Sequence, residues 1–144
     1  MTGTVVVGVD SSETARRAAE VARRLAVALS APLLIVSAFE RDRVEVYGNG
    51  SDRQTISGAD AAEKAASRVA AGLASEGLTV TYKTVRGKPA DALIREAARL
   101  EASMIVVGNR RMRGIGRVLG SVANSVTHNA ECDVYVAHTT YELD

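Results

Sequence analysis

A basic, glycine-rich segment late in the chain carries the residue types that bind phosphate. The apolar run at residues 104–107 ends at Gly108 and predicts a buried strand, and Ser121 stands where the next helix should begin. Glycines between these points let the backbone approach a ligand, and the free N–H groups of a helix start attract an anion. The segment also holds four guanidinium groups suited to phosphate oxygens, those of Arg110, Arg111, Arg113 and Arg117. A flexible surface loop has the same composition, so the glycines alone favour neither interpretation.

A carboxylate follows the first predicted strand. The β-branched run at residues 4–9 stops at Asp10, with Glu13 at the spacing of a capping box, so this strand feeds directly into a helix. Asp10 would cap that helix, the commoner use of Asp after a strand, or contact a ligand. Because a bare carboxylate repels a polyphosphate, we expect Asp10 to contact hydroxyl groups or a Mg²⁺ ion. Both roles hold if one oxygen caps and the other binds.

The pattern of apolar residues predicts the elements that position these groups. Continuous or alternating apolar runs predict strands at residues 4–9, 32–38, 79–86, 103–108 and 133–138. Helical spacing predicts helices that end at Leu29, near Gly77, at Leu100 and at Asn129. The alternation within 79–86 indicates an edge strand, and the polar segment 40–57 is expected to be a mobile loop of open role.

Helices between all five strands predict an α/β fold, a parallel sheet covered by helices on both faces. In such folds ligands bind beyond the carboxyl ends of the strands, at the point where the strand order reverses. That rule directs attention to Asp10, Ala38 and Gly108. The 144 residues, of which 47% are hydrophobic, suit one domain spanning residues 1–144.

Composition argues against several classes of function. A net charge of +1 gives no general attraction to nucleic acid or to an anionic membrane, and 3% aromatic residues without Trp make a base-stacking platform improbable. No apolar run reaches the length of a membrane span, and residues 1–10 lack a signal-peptide pattern, so we expect a cytoplasmic protein. The Walker-type phosphate loop is absent, and Cys132, His128 and His138 lack metal-site spacing. No set of a nucleophile, a base and an orienting residue can be assembled from the sequence, so an enzyme is the less favoured alternative.

The chain resembles the universal stress protein family over essentially its whole length. The similarity lies in the first strand with its Asp-centred turn at residues 5–12, in the strands at 33–38 and 102–108, and most strongly in residues 119–126. Nucleotide-binding members carry the pattern Gly, two residues, Gly, nine residues, Gly, then Ser or Thr. Here Gly108, Gly120 and Ser121 match, whereas Arg111 replaces the second glycine and the loop is one residue shorter. Arg111 either projects its guanidinium toward the phosphates or blocks the site.

The resemblance implies an adenine nucleotide alpha hydrolase-like fold, with a three-layer domain and strand order 3-2-1-4-5. It implies a stress-response regulatory protein that binds ATP, AMP or cAMP, with Mg²⁺ as a possible companion at Asp10, in the crevice between strands 1 and 4. Val9 and Ala38 would flank the adenine, and Asp10 would approach the ribose or the metal. The remaining residues of the implied site would lie around the phosphates: Val107, Gly108, Asn109, Arg111, Gly120, Ser121 and Val122. Family members commonly form dimers through the last strand, which implies a homodimer through residues 134–137.

Other functions stay open at this point. A slow ATPase would use Mg²⁺ and the arginines to stabilise transferred charge, although no residue that positions water is identifiable. A nucleotide-independent dimeric interaction module is the alternative from another class, favoured by Arg111 and the short loop. An electron-transfer flavoprotein-like or ATP-pyrophosphatase-like domain is a related alternative.

Overall fold

The computed structural model describes residues 3–10, 12–40, 45–47, 54–56, 58–109 and 120–139. Strands and helices alternate along most of this length. In chain order the elements are β1 (Val5–Gly8), α1 (Glu13–Leu29), β2 (Leu33–Phe39), β3 (Glu45–Tyr47), β4 (Gln54–Ile56), α2 (Gly58–Leu73), β5 (Val80–Arg86), α3 (Pro89–Leu100), β6 (Met104–Gly108), α4 (Ser121–Asn129) and β7 (Asp133–Ala137).

The main sheet has five parallel strands in the order β5-β2-β1-β6-β7. Counting only its own strands, this is the predicted order 3-2-1-4-5. The chain leaves β1 toward β2 on one side and returns to β6 on the other, so the strand order reverses beside β1. As predicted, β5 is an edge strand, and among the described residues it pairs with β2 alone.

Both faces of the sheet are buried, which explains why its central strands are continuously apolar. Val5 and Val7 pack under α1 and α2, whereas Val6 and Ile105 face α3 and α4, and all four side chains are fully buried. Alternate residues of a strand point to opposite faces, so a run of valines supplies two core layers at once.

The turn into α1 differs from the expectation that Asp10 is the N-cap. Ser12 caps the helix, because its Oγ accepts a hydrogen bond from the N–H of Ala15 at 3.2 Å. Asp10 Oδ1 instead accepts from the N–H of Ser12 at 2.7 Å and turns the chain from strand into helix. Asp10 and Glu13 therefore do not form a capping box.

Two further expectations need correction. Within the segment predicted to be an unstructured loop, residues 45–47 and 54–56 form a short antiparallel pair in which Val46 lies opposite Thr55. The end of α2 comes at Leu73, four residues before Gly77, because the Ser75 hydroxyl donates to the Leu73 carbonyl at 3.3 Å and a turn follows. Gly77 has its left-handed φ of 80° in that turn rather than at the helix end.

Among the helices of the described residues, none combines the length and the apolar character needed to cross a membrane.

Candidate functional site

A cavity of about 240 Å³ opens beside β1, at the carboxyl ends of the central strands. The strands, α1, α3 and the first turn of α4 all contribute to its wall. The lining residues are Gly8, Val9, Asp10, Ser12, Thr14, Ala15, Ala18, Val36, Ala38, Pro89, Leu93, Val107, Gly108 and Val122. The cavity therefore lies where the strand order reverses, as the fold class predicts.

The structure brings six of the predicted site residues to this cavity. They are Val9, Asp10, Ala38, Val107, Gly108 and Val122. Gly120 and Ser121 lie at the start of α4 and directly precede the lining residue Val122, with Gly120 as the N-cap. The helix start predicted at Ser121 is thus confirmed. Arg111, with the rest of residues 110–119, lies outside the described residues.

One wall of the cavity is polar and comes from the start of α1. Ser12 Oγ lies 3.1 Å from Thr14 Oγ1, and the two hydroxyl groups share one hydrogen bond. Since one hydroxyl proton is used between them, the other can be donated into the cavity. Asp10 has one oxygen engaged by the N–H of Ser12, which leaves its second oxygen as an acceptor. This wall therefore presents a donor and an acceptor side by side, the pattern that two neighbouring sugar hydroxyls complement.

The opposite wall is apolar and exposes backbone groups of β2. The pairing of β1 with β2 ends at Gly8 opposite Val36, and the N–H of Val9 donates to the Val36 carbonyl at 2.9 Å. β2 continues to Phe39, so Ala38 has no partner in β1. A flat base placed against Ala38 would meet both an N–H donor and a carbonyl acceptor.

Gly8 shapes this apolar wall in a way the sequence did not reveal. A Cβ at Gly8 would lie 2.9 Å from Leu93 Cδ1, so the glycine allows Leu93 to pack closely against the strand. Leu93 is 2% exposed and belongs to the core under α3. Any side chain at Gly8 would displace Leu93 from that position.

Asn109 was predicted to lie near the phosphates, but its side chain contacts the residues that follow β7. Asn109 Oδ1 accepts from the backbone N–H of Thr139 at 2.7 Å, and Asn109 Nδ2 lies 3.1 Å from His138 Nδ1. Asn109 does not line the cavity. Its side chain supports the end of β6 rather than the cavity wall.

Asp10 is the charged residue among those that line the cavity. In the described part of the chain, no three His, Cys, Asp or Glu residues lie close enough to hold a metal ion. A Mg²⁺ ion at Asp10 would therefore need most of its oxygen ligands from a bound phosphate and from water, which is the usual arrangement for this ion.

Cys132 packs against the apolar cluster under α3 and α4, away from the cavity lining. Burial raises the pKa of its thiol, and the charge of Asp133 raises it further. Because the thiolate is the reactive form, this environment suits a packed apolar group.

The chain is similar to known proteins throughout its length. The model of the universal stress protein family matches residues 1–138. The universal stress protein Rv1636 of Mycobacterium tuberculosis is 34% identical, with 95% of this chain and 97% of that protein covered. A universal stress protein of Thermus aquaticus, from the QAH/OAS sulfhydrylase 3′ region, is 31% identical over 91% of this chain and 95% of its own length.

Solved structures agree with this result. A universal stress protein in complex with cAMP has a TM-score of 0.68 and 30% identity, with 96% of this chain and 98% of the other covered. The universal stress protein of Archaeoglobus fulgidus has a TM-score of 0.72 at 23% identity, over 94% of this chain and 98% of the other, which shows the shared fold. The chain belongs to the universal stress protein family.

Proposed function

We propose that this protein binds an adenine nucleotide in the cavity beside β1 and that binding controls its conformation or its choice of partner. The observation that carries the proposal is the cavity itself, which joins an apolar wall, a polar wall and the start of α4 where the strand order reverses. The cAMP complex of a relative at 30% identity supports a nucleotide as the ligand.

The base would lie against the apolar wall. Val9 and Ala38 flank it, and the backbone of Ala38 supplies one donor and one acceptor for its edge. Adenine presents the complementary pair, an amino group beside a ring nitrogen. Leu93 closes the floor.

The sugar would lie against the polar wall. The free oxygen of Asp10 accepts from one ribose hydroxyl, and the unshared proton of the Ser12–Thr14 pair is donated to an oxygen nearby. Each hydrogen bond of this kind contributes roughly 0.5–1.5 kcal/mol.

The phosphates would extend toward the start of α4. Gly120, Ser121 and Val122 present backbone N–H groups at the positive end of the helix dipole. Val107 and Gly108 complete the set on the β6 side. A volume of about 240 Å³ is smaller than the roughly 300–1,000 Å³ of pockets that enclose a whole drug-sized ligand. The described cavity suits the nucleoside part of the ligand, and the phosphates of ATP, with Mg²⁺, would extend beyond it along the start of α4.

The proposal includes a homodimer through β7. This strand is the other edge of the main sheet, and Tyr135 on it is 45% exposed. A monomer mass in light scattering at working concentration would contradict this part of the proposal.

The experiment that tests nucleotide binding is calorimetric titration of the ligand-stripped protein with cAMP, AMP and Mg-ATP. Thr14→Val removes a hydroxyl from the polar wall and should weaken the affinity by about 2–12-fold, the effect of one lost hydrogen bond. Thr81→Val makes the same change at an exposed position of β5 and should leave the affinity unchanged.

Two outcomes would overturn parts of the proposal. If none of the three ligands binds at millimolar concentration, the protein acts as a nucleotide-independent dimeric interaction module. If Mg-ATP binds and single-turnover phosphate release exceeds the uncatalysed background, the protein is a slow ATPase.

A further inference from the structure

The chain after β6 and the chain after β7 are joined by hydrogen bonds next to the cavity. The N–H of Asn109 donates to the Ala137 carbonyl at 3.0 Å. In return, Thr139 donates to Asn109 Oδ1 twice, from its N–H at 2.7 Å and from its Oγ1 at 3.2 Å. We call Asn109, His138 and Thr139 the β6–β7 clasp. Its centre is closed to solvent, since Thr139 is only 1% exposed.

The clasp uses both ends of the amide side chain at position 109. A backbone N–H can only donate, so the oxygen of the Asn109 amide must face Thr139. Asn109 Nδ2 then faces His138 Nδ1 at 3.1 Å and donates to it. His138 accordingly carries its ring proton on Nε2 in this arrangement. One planar group thus supplies an acceptor to Thr139 and a donor to His138, and a leucine could supply neither.

The clasp is adjacent to the cavity through Gly108. Gly108 lines the cavity, and a Cβ at Gly108 would lie 3.0 Å from Thr139 Oγ1. On the other side, Arg17 of α1 donates to the Thr139 carbonyl at 3.3 Å. The same helix contributes Thr14 and Ala18 to the cavity wall. Thr139 is therefore held between two elements that line the cavity.

We propose that Asn109 is a positioning residue that couples the start of the glycine-rich segment to the end of the last strand. Its side chain is engaged by residues 138–139, so the chain leaving β6 cannot shift without breaking those bonds. A ligand that binds only one arrangement of Gly108 and Asn109 then also stabilises residues 138–139. By linkage, a partner that loosens or holds the chain after β7 changes ligand affinity by the same factor. This last step rests on the proposed function; the coupling of the two strand ends does not.

Hydrogen exchange measured by mass spectrometry on the ligand-free protein tests the coupling. Asn109→Leu keeps the branched shape of the side chain but removes all three hydrogen bonds that the amide makes to His138 and Thr139. We expect exchange to accelerate roughly tenfold both at residues 105–109 and at residues 136–139, since the two segments open together.

Thr139→Ser is the matched control, because it removes a buried methyl and keeps both bonds to Asn109. The lost methyl corresponds to about 0.8 kcal/mol, so we expect it to change exchange by no more than about fourfold at either segment. The coupling is refuted if Asn109→Leu accelerates exchange at only one of the two segments, or no more than Thr139→Ser does. Should Asn109→Leu not fold, His138→Ala replaces it at an exposed position. It should accelerate exchange at both segments about threefold, and unchanged exchange would refute the coupling.

Titration with AMP and cAMP then tests the link to the ligand. In the unmodified protein a bound nucleotide should slow exchange at residues 136–139, and Asn109→Leu should weaken its affinity by about tenfold while Thr139→Ser does not. Nucleotide binding that leaves exchange at 136–139 unchanged would refute the link. If neither nucleotide binds the unmodified protein, the proposed function fails, and the ligand-free exchange of Asn109→Leu still decides whether the strand ends are coupled.

Discussion

The contact between Gly108 and Thr139 can be tested by adding a single methyl group. In Gly108→Ala the new carbon would lie 3.0 Å from Thr139 Oγ1 and 3.4 Å from Thr139 Cγ2. Thr139 cannot yield easily, because Asn109 and Arg17 hold its backbone on both sides. Overpacking at a buried contact of this kind costs about 1–3 kcal/mol. We therefore expect Gly108→Ala to lower the free energy of unfolding by about that amount.

A second substitution should relieve the clash. In Thr139→Ala the atom nearest the new methyl becomes Cβ, at 3.8 Å, which is an ordinary contact. Alone, Thr139→Ala loses a buried methyl, about 0.8 kcal/mol, and a hydrogen bond, about 1 kcal/mol. The double variant should be no less stable than Thr139→Ala. The double-mutant cycle should therefore show an interaction energy of about 1–3 kcal/mol.

Urea unfolding, followed by circular dichroism with comparison of midpoints and m-values, measures these differences. Gly72→Ala is the matched control, since a Cβ at Gly72 in α2 meets no atom within 4 Å. This variant should be more stable than the parent by about 0.5–1 kcal/mol, because alanine is the better helix former. The reasoning is wrong if Gly108→Ala unfolds at the parental midpoint, or if its cost simply adds to that of Thr139→Ala.

Two further predictions concern a buried carboxylate and the start of α4. Burial alone would raise the pKa of Glu96, but hydrogen bonds from Arg99 and Lys83 outweigh it and hold the pKa below its ordinary value of 4.5. The ionised Glu96 therefore contributes fully to the free energy of unfolding above pH 4.5, and this contribution is lost as the pH falls through the lowered pKa. Between about pH 6 and about pH 3, the midpoint temperature of unfolding should fall less steeply in Glu96→Gln than in the parent. Parallel pH profiles of the two proteins would contradict this account. Gly120→Val should fold normally, because φ of −62° and ψ of 162° suit valine, yet lose nucleotide affinity by more than about tenfold; unchanged affinity in calorimetry would exclude this phosphate seat.

The sheet was predictable because its central strands are buried on both faces. A sheet exposed on one face would leave every second side chain of a continuous apolar run in water. Helices must therefore cover both faces of β1, β2 and β6. The helix starts at Pro89 and Ser121 were also predictable from the sequence, since proline and the Gly-Ser pair are local signals. In each case the information lies within a few residues of the element that it specifies.

The errors arose where neighbouring signals compete. Asp10, Ser12 and Glu13 all suit a helix start, and only the backbone path decides that Ser12 Oγ reaches the N–H of Ala15. The strands at 45–47 and 54–56 are three residues each, too short for a period of two to be recognised. The hydrogen bond from the Ser75 hydroxyl to the Leu73 carbonyl ends α2 before Gly77, and the spacing of apolar residues does not reveal such a bond.

The candidate site was only partly predictable, because half of its wall consists of core residues. Ala18, Val36 and Leu93 follow the ordinary spacing of buried positions, and nothing in the sequence distinguishes them from residues that meet no cavity. The β6–β7 clasp joins positions thirty residues apart. Only the parallel pairing of β6 with β7 brings them together, so the sequence could suggest Asn109 as a site residue but not its partners.

The cavity is the open end of the same core that stabilises the fold. It exists because β1 stops at Gly8 while β2 continues to Phe39, so that α1 and α3 approach the sheet on its two faces without a strand to fill the space between. Ala18 and Leu93 therefore serve packing and cavity shape at once, and replacing either would change stability and binding together. The polar wall is different, because Asp10 is exposed and Thr14 is half-buried. Asp10 also turns the chain into α1 through its bond to Ser12, so Thr14 is the better position. A substitution of Thr14 should alter ligand affinity with little effect on folding, which makes it the place where function can be tested separately from stability.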